Sequence, residues 1–256
     1  MTTLAPLFGF PPLPADAPDL SVVVPMYNED GNARDLIGEI DAAVGGLNTE
    51  IIAVDDASTD KTKAILTKMK DELPSLRVFA HHKNAGQSRA VRTGILGAHG
   101  TVIATLDGDG QNVPGDIPAL YQQLTREGAD PLLAMVAGER QKRQDSQAKL
   151  LASKAANHIR KSLLNDQAND TGCGLKAFYR NAFLRLPYFD HVHRYLPALM
   201  HREGFVVEFC PVSHRPRQHG VSKYTNFGRA VVAVRDLIGV TWLNARARAP
   251  EQVDEI

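Results

Sequence analysis

Apolar residues in the first half of the chain follow two patterns, short β-branched runs and longer stretches with helical spacing. The runs that predict buried strands are Leu20–Pro25, Glu50–Val54, Leu76–Ala80, Thr101–Asp107 and Leu132–Ala137. The stretches that predict helices are Asn32–Leu47, Lys61–Leu73, Arg89–Ala98 and Pro114–Arg126. Strands that alternate with helices at this density are typical of βαβ units. We therefore expect an α/β fold with a mainly parallel central sheet flanked by helices.

The second half of the chain is less regular and more basic. Its predicted helices are Gln144–Leu164, His193–Arg202 and Phe227–Asn244, and its predicted strands are Leu175–Tyr179 and Phe205–Pro211. A basic, glycine-containing loop, Arg215–Tyr224, precedes the last helix. We expect three regions: a flexible leader at 1–19, a main domain at 20–224, and a C-terminal amphipathic helix with its tail at 225–256.

Composition and charge narrow the class of protein. The 256 residues are 43% hydrophobic, and 29 basic residues balance 29 acidic ones, which disfavours a general nucleic-acid binder. No apolar window approaches the ~20 residues of a membrane span, and the proline-rich leader lacks the basic start of a signal peptide. Cys173 and Cys210 have neither metal spacing nor a disulfide framework, which fits a reducing, cytoplasmic location.

Acidic residues follow several of the predicted strands. The strand that ends at Asp107 leads into a second acid, Asp109, with one glycine between them. Mg²⁺ and Mn²⁺ favour oxygen ligands, so the pair indicates a metal site, although the same residues also suit an ordinary turn. Glu29 and Asp55–Asp56 follow two other strands, and in a parallel sheet all three loops open on one edge. The alternative is that each acid only caps a helix.

Basic residues form a second constellation. Arg140 follows a strand, Lys149 lies in the long basic helix, and the glycine-containing loop carries Arg215, Arg217 and Lys223. Arginine forks match phosphate oxygens, and glycine loops let backbone N–H groups approach phosphate. The alternative is a solvated charged face. A metal held by acids beside a cationic cluster favours a diphosphate substrate, whose leaving group the metal would stabilise, together with an anionic acceptor.

Several segments resemble, in the expected order, motifs of the family 2 glycosyltransferases of GT-A fold. They are Ser21–Glu29, Val54–Asp60, Asn84–Gly86 and Asp107–Gln111, followed by Asp170–Gly172 and Arg217–Tyr224. The last two segments are similar to the branch that contains dolichyl-phosphate mannose synthases and bacterial polyprenyl-phosphate glycosyltransferases. The resemblance covers about Leu20–Tyr224, and it is specific for the fold and the reaction class rather than for the sugar.

The resemblance implies roles for individual residues. The residues implied at the nucleotide are Pro25, Tyr27, Asn28 and Glu29, with Asp56 near the base and ribose. Those implied at the metal and diphosphate are Asp107 and Asp109, with Gln111 beside the sugar or metal. Those implied to hold phosphate groups are Arg140, Lys149 and Ser153, and those implied to clamp a lipid phosphate are Arg217, Ser222 and Lys223. Asp170 occupies a common family position, where it either touches sugar or shapes its loop.

The implied reaction is an inverting, metal-dependent transfer of a sugar from a GDP- or UDP-linked donor to a polyprenyl phosphate. A phosphate acceptor is already anionic, so it needs positioning and charge stabilisation rather than a general base. Some relatives carry C-terminal transmembrane helices, whereas this chain has one semi-apolar segment, Ala230–Trp242. That segment is expected either to pack on the core or to lie in a membrane interface. The second case implies a peripheral enzyme on the cytoplasmic face of a membrane.

Three alternatives stay open. A family 2 transferase that acts on a sugar hydroxyl of a cell-surface polysaccharide would need one acid as a base, and no unambiguous candidate stands out. Val54–Asp56 superficially resembles a signalling receiver domain, but such a domain is much shorter and leaves Asp107–Asp109 unexplained. The third alternative is a non-catalytic scaffold. Donors such as GDP-mannose, UDP-glucose and UDP-hexuronic acid all fit the sequence.

Overall fold

The computed structural model describes residues 17–141, 160–164, 166–217 and 226–247. Its strands are β1 (Leu20–Met26), β2 (Thr49–Asp55), β3 (Leu76–Ala80), β4 (Val102–Thr105), β5 (Leu133–Arg140), β6 (Lys176–Tyr179) and β7 (Val206–Val212). Its helices are α1 (Ala33–Val44), α2 (Thr62–Glu72), α3 (Gln87–Gly97), α4 (Ile117–Thr125), α5 (Arg180–Arg185), α6 (Leu196–Arg202) and α7 (Asn226–Ala245). Single 3₁₀ turns occupy Pro114–Asp116 and Val192–Arg194, and residues 160–164 are helical.

The strands form one seven-stranded sheet in the order β3-β2-β1-β4-β6-β5-β7. β1 pairs in parallel with β2 and β4, β2 with β3, and β5 with β7. Only β6 runs antiparallel to its neighbours β4 and β5. The expected α/β fold with a mainly parallel sheet is therefore confirmed. The chain builds outward from β1 to β3 and returns to β4 on the other side, which makes the gap between β1 and β4 a topological switch point.

Both faces of the sheet are covered by helices. Side chains alternate along β1, so Val22 and Val24 join the core beneath α1 and α4, whereas Val23 joins the core beneath α3, α5 and α6. All seven residues of β1 are buried, as expected for a parallel strand between two helical layers. Burying each aliphatic side chain of this size contributes about 1.5–3 kcal/mol. This double core fixes the strand ends, and the loops of the site begin there.

Most of the predicted elements in the described residues are present, and their boundaries differ from the predicted ones by at most three residues. β4 ends at Thr105, so Asp107 lies in a loop and not at the end of the strand. The helix expected from His193 starts as a separate 3₁₀ turn before α6, and the six-residue helix α5 was not predicted because it is too short to show periodicity. The leader up to residue 16, the basic helix before residue 160, and residues 218–225 lie outside the described residues.

The last helix, α7, has two different faces. Leu237, Val240 and Leu243 pack against the core on the α3 side of the sheet. Val234, Ile238 and Trp242 recur every fourth residue along another face and are 58%, 66% and 63% exposed. Within the described residues, no helix combines the length and apolar character needed to cross a membrane. The helix therefore packs on the core as one expectation had it, and it also leaves an apolar stripe uncovered.

Candidate active site

A cavity of about 450 Å³ opens at the switch point between β1 and β4, and we call it the strand-end cavity. The predicted site residues that line it are Pro25, Tyr27, Glu29, Asp56, Asp107, Asp109 and Arg217. They come from the end of β1, from the loops after β1, β2 and β4, and from the segment after β7. The expectation that the three acidic loops open on one edge of the sheet is thus confirmed by the position of Glu29, Asp56 and Asp107.

Asp107 lies deep in the strand-end cavity. Its Oδ1 accepts a hydrogen bond from Gln87 Nε2 at 2.7 Å, and its backbone N–H donates to Asn112 Oδ1 at 3.2 Å. Gly174 packs directly on the carboxyl group, because a Cβ at that glycine would lie 2.5 Å from both carboxylate oxygens. Loss of hydration, followed by the negative charge of Asp109, raises the pKa of Asp107. Burial and the neighbouring Asp109 therefore outweigh the positive charges that act on this carboxylate.

Asp109 is contacted from the segment that follows β7. Arg217 Nη2 donates to Asp109 Oδ2 at 2.5 Å, and the backbone N–H of Gln111 donates to Asp109 Oδ1 at 3.1 Å. Arg215 Nε donates to the carbonyl oxygen of Gly110, and its guanidinium pairs with Glu39 at 2.8 Å. Two arginines that the sequence placed in the basic loop therefore fasten that segment over the acidic loop after β4.

The donor set suits a divalent cation that is shared with a phosphate ligand. Within the described residues no group of three or more histidine, cysteine, aspartate or glutamate side chains could hold a metal by itself. Mg²⁺ usually takes only one or two protein carboxylates together with substrate phosphates, which is what Asp107 and Asp109 offer. A cation beside Asp107 would also offset the loss of hydration that raises the pKa of this carboxyl group.

Asp56 lines the cavity, but its carboxylate already has protein donors. It accepts hydrogen bonds from the backbone N–H groups of Ala85 and Gly86 at 2.9 and 2.8 Å, and His81 Nδ1 lies 2.6 Å away. Its side chain is 4% exposed. Gly86, at φ +87°, is the residue that lets the chain turn into α3 here. Asp56 therefore shapes the loop of residues 84–86, and its implied contact with a base or ribose stays a prediction.

The loop after β1 is fastened to the loop after β2. Asn28, at φ 52°, accepts a hydrogen bond on Oδ1 from the backbone N–H of Thr59 at 2.7 Å, and it is not among the residues that line the cavity. Glu29 accepts a hydrogen bond from Asn32 Nδ2 at 2.8 Å. Asp60 accepts one from the backbone N–H of Thr62 at 2.9 Å, so it satisfies the N–H group of the first residue of α2 from the position before Lys61.

Arg140 and Asp170 form a bidentate ion pair away from the lining of the cavity. Arg140 Nε and Nη2 donate to Asp170 Oδ2 and Oδ1 at 2.6 and 2.7 Å, and this pairing raises the pKa of Arg140. Asp170 also accepts from the backbone N–H of Gly172, so it shapes its loop. The phosphate-binding role implied for Arg140 stays a prediction. Lys149, Ser153, Ser222 and Lys223 lie outside the described residues.

A second cavity, of about 570 Å³, adjoins the first and was not predicted from the sequence; we call it the α7 cavity. Its walls are the loop of residues 171–174, Arg160, residues 193–195, and Ala233, Val234 and Leu237 of α7. It shares Gln87, Asp107 and Arg194 with the strand-end cavity. Gln87 follows the motif residues 84–86 directly, and that adjacency is the signal that could have found it. Arg194 carries no comparable signal.

Behind the shared wall lies one further charge, Lys176 on β6. Its Nζ donates to the carbonyl oxygen of Cys173, and burial lowers the pKa of Lys176. The positive charge of Lys176 acts on Asp107 in the direction opposite to burial, and so limits the rise in the pKa of Asp107. The pairing of β4 with β6 brings these two residues near each other, because Lys176 pairs with Thr105, which lies two residues before Asp107.

The family model for glycosyl transferase family 2 matches residues 21–186. The chain belongs to this family. The dodecaprenyl-phosphate galacturonate synthase of Rhizobium johnstonii is 33% identical over 247 residues, which cover 93% of this chain and 71% of the relative. The undecaprenyl-phosphate 4-deoxy-4-formamido-L-arabinose transferase of an Enterobacter species is 33% identical over 86% of this chain and 66% of its own length. The predicted glycosyltransferase class and the predicted branch are confirmed, and this chain spans about two thirds of these relatives.

Solved structures confirm the GT-A fold. One is the mannosyltransferase PcManGT of Pyrobaculum calidifontis in complex with GDP-Man and Mn²⁺. Its superposition has a TM-score of 0.66 and covers 94% of this chain and 68% of the PcManGT chain, with 18% sequence identity. The glucosyl-3-phosphoglycerate synthase of Mycobacterium tuberculosis, in complex with Mn²⁺, UDP and phosphoglyceric acid, gives a TM-score of 0.64 over 92% of this chain and 80% of its own.

Proposed function

We propose that this glycosyltransferase moves a sugar from a nucleotide diphosphate sugar to a polyprenyl phosphate, with inversion at the anomeric carbon. One observation carries the proposal: a carboxylate-lined cavity and a cavity with apolar walls meet at Asp107. Such a junction fits a reaction between a charged nucleotide donor and a lipid acceptor. The two relatives described above support it, since both are named for a polyprenyl phosphate.

The strand-end cavity is the proposed donor site. Asp107 and Asp109 would hold Mg²⁺ or Mn²⁺, which would offset the charge that develops on the departing nucleoside diphosphate. Gln87 keeps the carboxylate of Asp107 oriented through its 2.7 Å hydrogen bond. The end of β1 and the loop that follows it supply Pro25, Tyr27 and Glu29 as the wall for the nucleotide. GDP-Man, UDP, Mn²⁺ and Mg²⁺ in the solved neighbours support this assignment.

The α7 cavity is the proposed acceptor site. Ala233, Val234 and Leu237 give it an apolar wall that suits an isoprenoid chain, and Asp107, Gln87 and Arg194 form the end where that wall meets the donor site. The acceptor phosphate reacts as an anion, so no proton has to be removed from it. Positioning of the phosphate opposite the leaving diphosphate is what this chain then has to supply.

A membrane surface is the proposed source of the acceptor. The exposed stripe Val234, Ile238 and Trp242 would face lipid, with the indole of Trp242 at headgroup depth. Val234 belongs both to this stripe and to the wall of the α7 cavity, so a lipid tail could pass between them without crossing water. We propose the cytoplasmic face, where the free thiols of Cys173 and Cys210 stay reduced.

A panel of GDP- and UDP-sugars tests the proposal. Each sugar is incubated with Mg²⁺ or Mn²⁺, with and without a polyprenyl phosphate, and the sugar extracted into organic solvent is measured. We expect a sugar-lipid only when metal and lipid are both present, and at least about a thousandfold less in Asp109→Asn, because the cation supplies several kcal/mol of charge stabilisation. The control is Asp71→Asn, a change at an exposed aspartate on α2, which should keep full activity.

Two results would count against the proposal. Hydrolysis of a donor without any lipid product would favour a family 2 enzyme with a sugar-hydroxyl acceptor. If none of the nucleotide sugars bound, the strand-end cavity would not be the donor site.

A further inference from the structure

Arginines line both cavities, and all but one of them have a carboxylate partner. In the α7 cavity, both Asp166 oxygens lie within 2.6 Å of Arg160 Nη1. In the strand-end cavity, Arg217 contacts Asp109 at 2.5 Å. Arg194 lines both cavities, and within the described residues its side chain forms neither an ion pair nor a hydrogen bond. A guanidinium remains charged at any physiological pH, so Arg194 presents a free positive charge at the junction.

We propose that Arg194 binds the phosphate of the polyprenyl phosphate acceptor, an assignment that rests on the proposed function. The planar guanidinium offers paired N–H donors that match two oxygens of one phosphate, and the charge-assisted bonds are roughly twice as strong as neutral ones. The phosphate has to lie where the cavities meet, because its oxygen forms the new bond to the anomeric carbon. The bond from that carbon to the diphosphate oxygen breaks, and its electron pair leaves with the nucleoside diphosphate.

The position of Arg194 is fixed from the side of α3. Nδ1 of the neighbouring His193 lies 2.7 Å from Ser88 Oγ near the start of that helix. Burial, and then the charge of Arg194 itself, lower the pKa of His193 well below the ordinary value, so the imidazole is neutral at pH 7 and adds no second charge. Gln87, the residue before Ser88, holds Asp107. One end of α3 therefore sets the distance between Arg194 and the proposed metal site.

The position is also fixed from the side of α7. Tyr195 donates its hydroxyl hydrogen to the carbonyl oxygen of Ala233 at 3.2 Å. His191 Nδ1 lies 3.1 Å from Asp236 Oδ2, an ion-pair distance when the imidazole is protonated. Residues 191–195 thus connect the helix that lines the lipid cavity with the reaction centre. A headgroup whose tail lies against α7 would therefore share the α7 cavity with the guanidinium of Arg194.

The acceptor is favoured over the donor as the ligand of Arg194. The strand-end cavity already contains Arg217 and the two carboxylates proposed to hold a metal for the donor diphosphate. The other arginine described in the α7 cavity, Arg160, is neutralised by Asp166. An acceptor phosphate in that cavity has no other unpaired arginine among the described residues. Among the described residues of the α7 cavity, Arg194 is therefore the group that offsets the acceptor's charge.

The test is Arg194→Gln in the full chain, assayed with the donor identified in the panel and a short-chain polyprenyl phosphate. We expect the acceptor KM to rise about ten- to a hundredfold, the loss typical of a charged hydrogen bond to phosphate. Donor affinity, measured by calorimetry with Mg²⁺ and the nucleotide sugar, should stay within about twofold. Arg194→Lys keeps the positive charge but loses the paired N–H donors of the guanidinium. Its acceptor KM should therefore lie between that of the wild type and that of Arg194→Gln. Arg126→Gln, which removes an exposed pair with Glu208, is the control.

Two results would overturn the inference while leaving the proposed function standing. One is an acceptor KM in Arg194→Gln equal to that of the wild type. The other is a loss of donor affinity as large as the loss of acceptor affinity, which would assign Arg194 to the donor diphosphate. If Arg194→Gln fails to fold, Arg194→Lys decides, since a residue that only supports the fold would keep its acceptor KM. A wild type that makes no sugar-lipid with any donor overturns both proposals.

Discussion

The two cavities that meet at Asp107 differ in how the chain builds them. The strand-end cavity collects short loops that directly follow β1, β2 and β4, so each of its acids sits next to a recognisable strand. The α7 cavity collects Arg160, the loop of residues 171–174, residues 193–195 and one face of α7, which are far apart in the sequence. Site residues at strand ends can be recognised from the strand that precedes them in the sequence. The residues that line a cavity between helices are brought together only by the packing of the fold.

Gly174 offers the strongest test of the junction between the two cavities, because it lines only the α7 cavity and touches the carboxylate of Asp107, which both cavities share. A Cβ there would lie 2.5 Å from the Asp107 carboxyl atoms, which are the movable end of a side chain. We expect Gly174→Ala to fold and to displace Asp107 from the proposed metal position. Sugar-lipid formation should fall about a hundredfold, in line with the sensitivity of catalysis to a shift of about 1 Å.

The matched control is Gly38→Ala on α1, where a Cβ meets nothing within 4 Å and alanine is the better helix former. It should keep full activity and melt at the same or a higher temperature. The metal requirement is measured in both variants by titrating Mn²⁺ into the assay. Equal activity and an unchanged Mn²⁺ requirement in Gly174→Ala would mean that the position of Asp107 does not matter.

The exposed stripe of α7 should affect binding to lipid and should not affect binding of the nucleotide sugar in the strand-end cavity. Ile238→Asp places a charge on a side chain that is 66% exposed, so the fold should tolerate it while insertion into lipid becomes unfavourable. We expect binding to anionic phospholipid vesicles to fall about tenfold or more in co-sedimentation, with nucleotide-sugar affinity unchanged. Leu96→Asp is the control, since Leu96 is 53% exposed but lies on α3. Equal vesicle binding by both variants would contradict the role of α7.

The same contrast explains what the sequence could predict. The parallel strands and their acidic loops follow from β-branched runs and from the rule that ligands bind at strand ends, and the structure has them. The antiparallel direction of β6 does not, because a four-residue run carries no information about its partners.

Contacts between distant side chains were beyond the sequence. Arg140 and Asp170 are thirty residues apart, and the sequence allowed Arg140 to face a phosphate and Asp170 to touch a sugar; only the fold shows that they pair with each other. Asp56 shows the same limit, because its motif marked it as a nucleotide contact while its oxygens accept hydrogen bonds from the loop of residues 84–86. Arg194 was missed for the opposite reason, since its importance lies in the carboxylate partner that it lacks among the described residues.

The smallest effect should appear in stability rather than activity, and it sharpens the assignment of Asp107. Burial and Asp109 raise the pKa of Asp107, so without metal the folded state favours the protonated carboxyl more than the unfolded state does. That contribution is fully present below the ordinary pKa of 3.8 and is lost as the pH rises through the folded value. At pH 7 this raised pKa therefore costs the metal-free protein folding free energy, and Asp107→Asn should melt higher by on the order of a few degrees. Adding Mn²⁺ with a nucleoside diphosphate should stabilise the wild type and not the variant.

A metal-free Asp107→Asn variant that melts below the wild type at pH 7 would mean that the ionised carboxylate stabilises the fold. Asp107 would then be a structural acid and not a cation ligand.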